Sequence, residues 1–368
     1  MAIISGIKIF GTGAKPPVLE PLNATENGVY TPSDGVDGFN PVNVDVQPNL
    51  QTKSSSTTIT SNGTSTITLQ PDSNYDGLSS ASVTITTDVA ASMPTLVLEN
   101  GNFNTAFTIS GDADLSNWDT SNLTSMRNIF YYCKKLTSVK LSNFDTSNVT
   151  DMRQMFEGCS SLTSLDVSNF DTSAVTNMGN TFQGCRDLTS LNVSNFNTSA
   201  VTNMGQMFNN CNSLTSLDGI ENFDTSAVES MNYMFGQCNS LTSLDLSNWN
   251  TSAVTNMYAI FQSCNNLTYL NLSNWNMSNV TAVNDMFYNC SKLTDLNMTN
   301  AILPKINLTD WNLDTCKALT VDSLVSVLNA LQQLDEGTSY TCTIGSTNLA
   351  KLSDTQKAIA TNKGWVLN

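Results

Sequence analysis

The chain has 368 residues, 40% hydrophobic and only 12% charged, with a formal net charge of −16 and no histidine. That length allows two or three compact domains or one elongated array. Fifteen Lys and Arg against 31 Asp and Glu cannot form the cationic clusters that displace counterions from phosphates, which excludes duplex nucleic acid and anionic membrane surfaces as partners.

In chain order, residues 1–21 read as an arm closed by Pro16, Pro17 and Pro21. Such a segment has no core of its own and is expected to order by docking onto a partner. Met1–Gly11 lacks a basic start, a sustained apolar run and a small-residue cleavage site, so it does not read as a secretion signal. Nothing approaches the roughly 20 apolar residues of a membrane span, and the C-terminus shows no lipid-anchor pattern.

Residues 22–50 and 51–90 read as two related β-modules. The first carries Asn27-Gly28, Pro32, Asp37-Gly38-Phe39 and then Val42, Val44 and Val46; the second carries Asn62-Gly63, Pro71, Asp76-Gly77-Leu78 and then Ala81, Val83 and Ile85. Asn-Gly and Asp-Gly are turn dipeptides because both residues tolerate positive φ, and the alternation after them has the period of a strand.

Residues 91–302 hold a repeat. Cysteines at 133, 159, 185, 211, 238, 264 and 290 follow one another in steps of 26, 26, 26, 27, 26 and 26. Phe130, Phe156, Phe182, Phe208, Phe235, Phe261 and Phe287 keep step three residues earlier, and Trp118, Phe144, Phe170, Phe196, Phe223, Trp249 and Trp275 keep step in a Ser-Asn-aromatic element or its variant. Seven copies of this period belong to a leucine-rich-repeat solenoid, whose rungs must stack because none can bury its apolar face alone.

Within one copy, Val201, Met204, Phe208, Cys211 and Leu214 step by 3, 4, 3 and 3, the spacing of a helix face, while Leu191 and Val193 alternate with polar neighbours as a strand does. The expected rung is therefore strand, turn, helix, in an α/β solenoid of seven rungs about 35 Å long at roughly 4.8 Å per rung. Residues 303–368 read as an αβ cap. Thr320 opens a helix bearing Leu324, Val327, Leu328, Leu331 and Leu334. Tyr340, Cys342 and Ile344 alternate as a strand, and Ser353 to Gln356 has capping-box spacing before a helix that Gly364 ends.

Met155-Phe156-Glu157-Gly158-Cys159-Ser160-Ser161-Leu162-Thr163-Ser164-Leu165 and Phe144–Met152 resemble the BspA-like leucine-rich-repeat surface proteins over about 190 residues. The segment Asn348–Trp365 resembles C-termini of the same proteins. The resemblance implies adhesion to host cells, matrix proteins or glycans. The N-terminal modules resemble short modules of bacteriophage tail and other virion proteins. Together these resemblances imply a non-enzymatic virion-surface protein (fibre, tail tip or capsid decoration), anchored to other virion proteins by its N-terminal region, with a homotrimer expected by analogy. The alternative is a bacterial cell-surface adhesin.

The conspicuous side chains do not suggest chemistry. Equivalent cysteines on stacked rungs point the same way, whereas a disulfide needs converging ones and zinc needs four tetrahedral ligands. Cys133 to Cys290 and the phenylalanine ladder are read as core. Cys316 and Cys342 continue the 26-residue step, but Cys342 lies in a strand without the repeat pattern, so the continuation is read as coincidence. Asp112, Asp114 and Ser116 resemble the start of a calcium loop without its glycine or late glutamate. Asp145, Asp171 and Asp224, with Asn197, Asn250 and Asn276 in their place elsewhere, are read as turn-capping residues. No active site, cofactor or metal is expected.

Binding is expected where the repeat varies. Strand residues pointing away from the core form a row of Lys140, Asp166, Asn192, Asp218, Asp245, Asn271 and Asn297. Varying positions add Arg127, Arg153, Tyr131, Tyr132, Tyr233, Tyr258, Tyr269 and Tyr288, a set suited to sugars or to a protein partner.

Overall fold

The structure is a computed structural model. It describes residues 111–368 except 117, 119 and 122, and the strand backbones within residues 1–110. In that N-terminal region Val42–Asn49 and Ser80–Thr87 are strands on the alternating runs of the two modules. Ser54–Ser61 joins them in one sheet, antiparallel to the first and parallel to the second. Ala2–Ile4 pairs with Ile7–Gly11, which pairs with Thr66–Pro71. The docking role expected of the arm rests on side chains outside the described residues.

The chain divides into two compact units, Met1–Val175 and Thr176–Asn368. In the first, Gly111–Asp114, Leu136–Lys140 and Ser164–Leu165 form a parallel sheet in that order. In the second, Ser190–Asn192 pairs parallel with Ser216–Asp218, and Ser243–Asp245, Tyr269–Asn271 and Asp295–Asn297 form another parallel sheet. The register is one whole rung, so Leu244, Leu270 and Leu296 lie side by side facing inward. Parallel strands one period apart, each led by buried leucines, are the architecture of a leucine-rich repeat.

The expected rung helix is not formed. The segment before each cysteine is a run of tight turns, with left-handed residues five and one positions before it. Asn180 and Gly184 have φ of 61° and 72°, Gln206 and Asn210 of 59° and 63°, Ala259 and Ser263 of 54° and 58°. A helix needs φ near −63° throughout. The hydrogen bonds explain the choice. Asn180, Phe182 and Gly184 donate their N–H groups to Gly205, Met207 and Asn209 of the next rung at 2.8–2.9 Å, while Thr181, Gln183 and Cys185 close local turns. A helix would consume every N–H internally and leave none to join rungs. Tight turns also send every third or fourth residue inward, which is why the apolar spacing imitates a helix.

The expected core ladders are buried. In the second unit Phe182, Phe208, Phe235, Phe261 and Phe287 stack with ring centroids 5.7–6.2 Å apart, and Trp249 lies 6.2 Å from Trp275. In the first, Phe130 and Phe156 stack at 5.0 Å. The thiols have a specific role: Cys211, Cys238, Cys264 and Cys290 each donate to the backbone carbonyl of the preceding rung's phenylalanine at 3.1 Å. Cys316 does the same to Phe287 at 3.5 Å, so its place in the 26-residue step is a true eighth rung and not coincidence. Cys342 is buried in the cap strand Tyr340–Cys342 and makes no such bond among those described.

The single 27-residue step is absorbed at Gly219. Its φ of 87° starts a short 3-10 turn, Ile220–Asn222, that holds the extra residue.

The array ends where a helix takes the place of a strand. Helix α1, Val321–Ala330, is capped by Thr320 as expected and lays its serines on the last strand. Ser323 Oγ accepts from Leu296 N at 2.9 Å, and Ser326 Oγ accepts from Met298 N at 3.2 Å and donates to Leu296 O at 2.9 Å. Two hydroxyls thus satisfy an edge that would otherwise template another strand. After α2, Ser346–Leu349, helix α3, Asp354–Thr361, begins in the expected Ser353–Gln356 capping box. Lys363 Nζ caps the end of α1, donating to the carbonyls of Leu328, Asn329 and Leu331.

Candidate binding face

The strand row is exposed at Lys140, Asp166, Asn192, Asp218 and Asp245, half-buried at Asn297 and buried at Asn271, which is 8% exposed. Most of it is occupied by local structure. Asp166, Asn192, Asp245, Asn271 and Asn297 each accept the backbone N–H two residues on, at 3.0–3.1 Å. These Asx turns close the strand, so the row recurs for a structural reason. Asn271, expected to face outward, is shut in by its bonds to Ser273 and to the Asp245 carboxylate. Lys140 is paired with Asp114 at 3.2 Å in the open.

The capping role read for the Asp-Thr-Ser triplets is what the structure shows. Asp145, Asp171, Asp224, Asn197, Asn250 and Asn276 each accept from the serine N–H two residues later. The buried threonine between them bonds to the next rung, as Thr225 Oγ1 does to Asn250 O at 2.9 Å. Hydrogen bonds from the serines hold the carboxyls of Asp145, Asp166, Asp171 and Asp224 below the usual 3.8. A folded-state pKa below the unfolded one adds stability above the unfolded value, lost as pH falls through the folded one. The thermal midpoint should therefore be level from about pH 7 to 5 and fall below about pH 4. Asp166→Asn with Asp171→Asn, copying the Asn192 and Asn197 of another rung, should reduce that fall. A midpoint level down to about pH 3 would remove the carboxylates from the account.

The tyrosines do not share the strand face. Of the six expected on that face, Tyr269 lies in a strand, while Tyr131, Tyr132, Tyr233, Tyr258 and Tyr288 lie in the turn segments before the cysteines. In the first unit the Tyr131 and Tyr132 rings lie 4.5 Å apart, with Lys134 Nζ 4.9 Å from the Tyr132 centroid. Nearby Arg153 is tied to Asp151 at 2.6 Å, Arg127 reaches Gln154 at 3.3 Å, and burial raises the pKa of Glu157.

In the second unit Tyr233 and Tyr258 meet edge to face at 5.1 Å. Tyr258 Oη donates to Asp285 Oδ2 at 3.1 Å, and Asn312 Nδ2 holds the other carboxylate oxygen at 2.6 Å. The bond with Tyr233 and then that with Asp285 push the Tyr258 phenol up to about 12. Beside them runs an amide row absent from the sequence-based face: Asn180 with Gln183, Gln183 Nε2 to Gln206 Oε1 at 3.2 Å, and Asn209 Nδ2 to Gln206 Oε1 at 3.4 Å. Of its members only Asn180, five residues before Cys185, is marked in the sequence, as a residue type that a left-handed corner favours.

Among the described residues no group of histidine, cysteine and acidic side chains could hold a metal ion, and no helix is long and apolar enough to cross a membrane. Asp112 and Asp114 accept from Thr137, Ser138, Ser116 and Lys140. All nine cysteines are buried thiols, and burial drives those of Cys211 and Cys264 up to about 12. At about pH 8, where an exposed thiol reacts readily, the native chain should consume no thiol reagent, and all nine cysteines should react on unfolding. Stoichiometric labelling of the native protein would show that the ladder opens.

No curated protein matches the sequence. Among solved structures, a leucine-rich-repeat protein from Bacteroides ovatus is 17% identical, covering 84% of this chain and 86% of that one at a TM-score of 0.32. One from Eubacterium ventriosum is 15% identical, covering 66% and 91% at 0.32, and the T. pallidum leucine-rich-repeat protein is 16% identical, covering 61% and 87% at 0.29. The family described as "Mycoplasma protein of unknown function, DUF285" matches residues 100–217 and 177–301. Those matches span more than half of the 368 residues, and the chain belongs to that family.

Proposed function

We propose that the chain is a non-catalytic adhesion protein displayed on a bacterial cell surface, whose repeat rungs hold a polar, weakly charged face for a glycan or protein on another surface. One observation carries this reading: among the described residues the reactive and apolar side chains are inside, and the large exposed hydrophobics are only Tyr132, Tyr288, Ile302 and Val366. What remains outside is mainly Asn, Ser, Thr and Asp on stacked rungs with a few Lys and Glu, a surface suited to recognition rather than turnover. The N-terminal region would provide the anchor.

The virion reading draws on the resemblance of Asn27–Phe39 and Asn62–Leu78, whose side chains lie outside the described residues. Protease shaving of intact cells, followed by mass spectrometry, separates the two. Peptides released from cells without phage induction support the cell surface. Recovery only from purified particles would move the protein to the virion, and recovery only from lysed cells would end the adhesive reading.

A further inference from the structure

We propose that the exposed turn face of the first unit carries a stacking site for one ring of an uncharged sugar. Tyr132 is its platform, and Lys134 and Glu157 meet the hydroxyls. It rests on the adhesive reading above and names the ligand class and the place.

Tyr132 stands where the fold does not favour a tyrosine. Its φ is 58°, and at that corner, one residue before the cysteine, the next three rungs place Gly158, Gly184 and Asn210. A bulky side chain at positive φ is strained, and such strain is kept where the side chain serves something besides the fold.

The ring is also open to a partner. Tyr132 is 47% exposed, the most of any aromatic side chain among the described residues. Gly158 of the next rung lies against the ring, since a Cβ there would stand 3.0–3.2 Å from three of its atoms. Backbone thus seats the ring, and the Tyr131 ring flanks it at 4.5 Å. Lys134 Nζ, 4.9 Å from the Tyr132 centroid, belongs to an exposed side chain. A cation–π contact at such a site is weak, so a sugar ring can replace it.

Hydrogen-bonding capacity is unspent around the platform, unlike the strand row. Among the described residues the hydroxyls of Tyr131 and Tyr132 and the ammonium of Lys134 have no hydrogen-bond partner. Arg127 Nη2 donates to Gln154 Oε1 at 3.3 Å, and Gln154 Nε2 donates to Glu157 Oε2 at 2.9 Å. That chain fixes the half-buried Glu157 carboxylate and leaves its Oε1 unused. Burial, and then the Glu157 charge, raise the pKa of the Tyr131 phenol, which places the carboxylate beside the tyrosine pair. A tyrosine face accepts the C–H side of a sugar, a carboxylate accepts from its hydroxyls, and an ammonium donates to them.

The ligand should carry no net charge. Glu157 repels an anion and Lys134 repels a cation, and the chain's net charge of −16 adds to the first effect.

The test uses the full chain against immobilised mannan, galactan, xylan and dextran, with hyaluronan as the anionic control. The expected result is binding to at least one neutral polysaccharide, at least tenfold weaker in Tyr132→Asn and unchanged in Glu336→Gln, a surface substitution in the cap. The thermal midpoint of Tyr132→Asn should be unchanged or higher, because asparagine suits a left-handed corner. A lower midpoint would make the ring structural and leave the decision to Glu157→Gln, for which a several-fold loss of binding is expected. Binding that Glu157→Gln retains in that case, or that both variants retain, overturns the site while leaving the adhesive reading intact. Binding to hyaluronan alone, or adhesion to cells with no polysaccharide bound, does the same. A protein that adheres to nothing ends both.

Discussion

Replacing Phe235 with alanine is expected to destabilise the second unit by about 3–5 kcal/mol, the usual cost of emptying a phenylalanine site in a packed core. The ring is fully buried. It lies 5.9 Å from Phe208, 5.8 Å from Phe261 and 6.1 Å from Trp249, so one deletion removes three ring contacts. In a stack of rungs the interface between neighbours supplies much of the stability. The variant should therefore also broaden the denaturant transition as the rungs on either side uncouple. The check is the urea midpoint and slope of the full chain followed by tryptophan fluorescence. Trp249 and Trp275 lie in that core, and the same measurement on a Trp249→Phe background isolates their share of the signal from that of Trp118, Trp311 and Trp365. A loss under about 1 kcal/mol would mean that the phenylalanine stack is not what holds the rungs.

Gly219→Ala should also be damaging, by about 1–3 kcal/mol or more, for a different reason. At φ of 87° any side chain is strained, and a Cβ there would fall on the Ser194 backbone of the neighbouring strand's turn. Backbone cannot move aside as a side-chain tip can, so the short 3-10 turn Ile220–Asn222 has to shift. Deleting Gly219, which restores a 26-residue step, is the informative companion. It should recover much of the lost midpoint if the glycine serves only to hold the extra residue. A Gly219→Ala protein as stable as the parent would show that the close approach to Ser194 does not exist.

Much of this architecture was legible as text. The 26-residue step of Cys, Phe and aromatic positions identifies stacked rungs because stacking forces the same packing choice at the same point of each copy. The capping residues Thr320 and Ser353 were equally visible, since a cap is a contact between residues three apart. The rung helix is where the apolar spacing misleads. Met204, Phe208 and Cys211 have helical spacing, but the spacing records only which residues point inward. Gln206 and Asn210, the polar residues between them, carried the decisive signal of left-handed corners.

The candidate site shows the same division. Lys140, Asp166 and the rest of the strand row stand out because they alternate with buried leucines. Yet five of that row's seven members are turned to their own backbone. The amides of Gln183, Gln206 and Asn209 give no hint in the sequence, because the bond from Gln183 to Gln206 joins two rungs.

By itself, then, the sequence determined the period and the ladders of Cys, Phe and Trp. These follow from local chemistry repeated at a fixed interval. Only the tertiary structure decided that the rungs are joined by turns rather than helices. It also decided that Cys316 belongs to an eighth rung, and which polar side chains remain available to a partner. Each of those depends on where an N–H or an amide finds its partner on the next rung, some 26 residues along the chain.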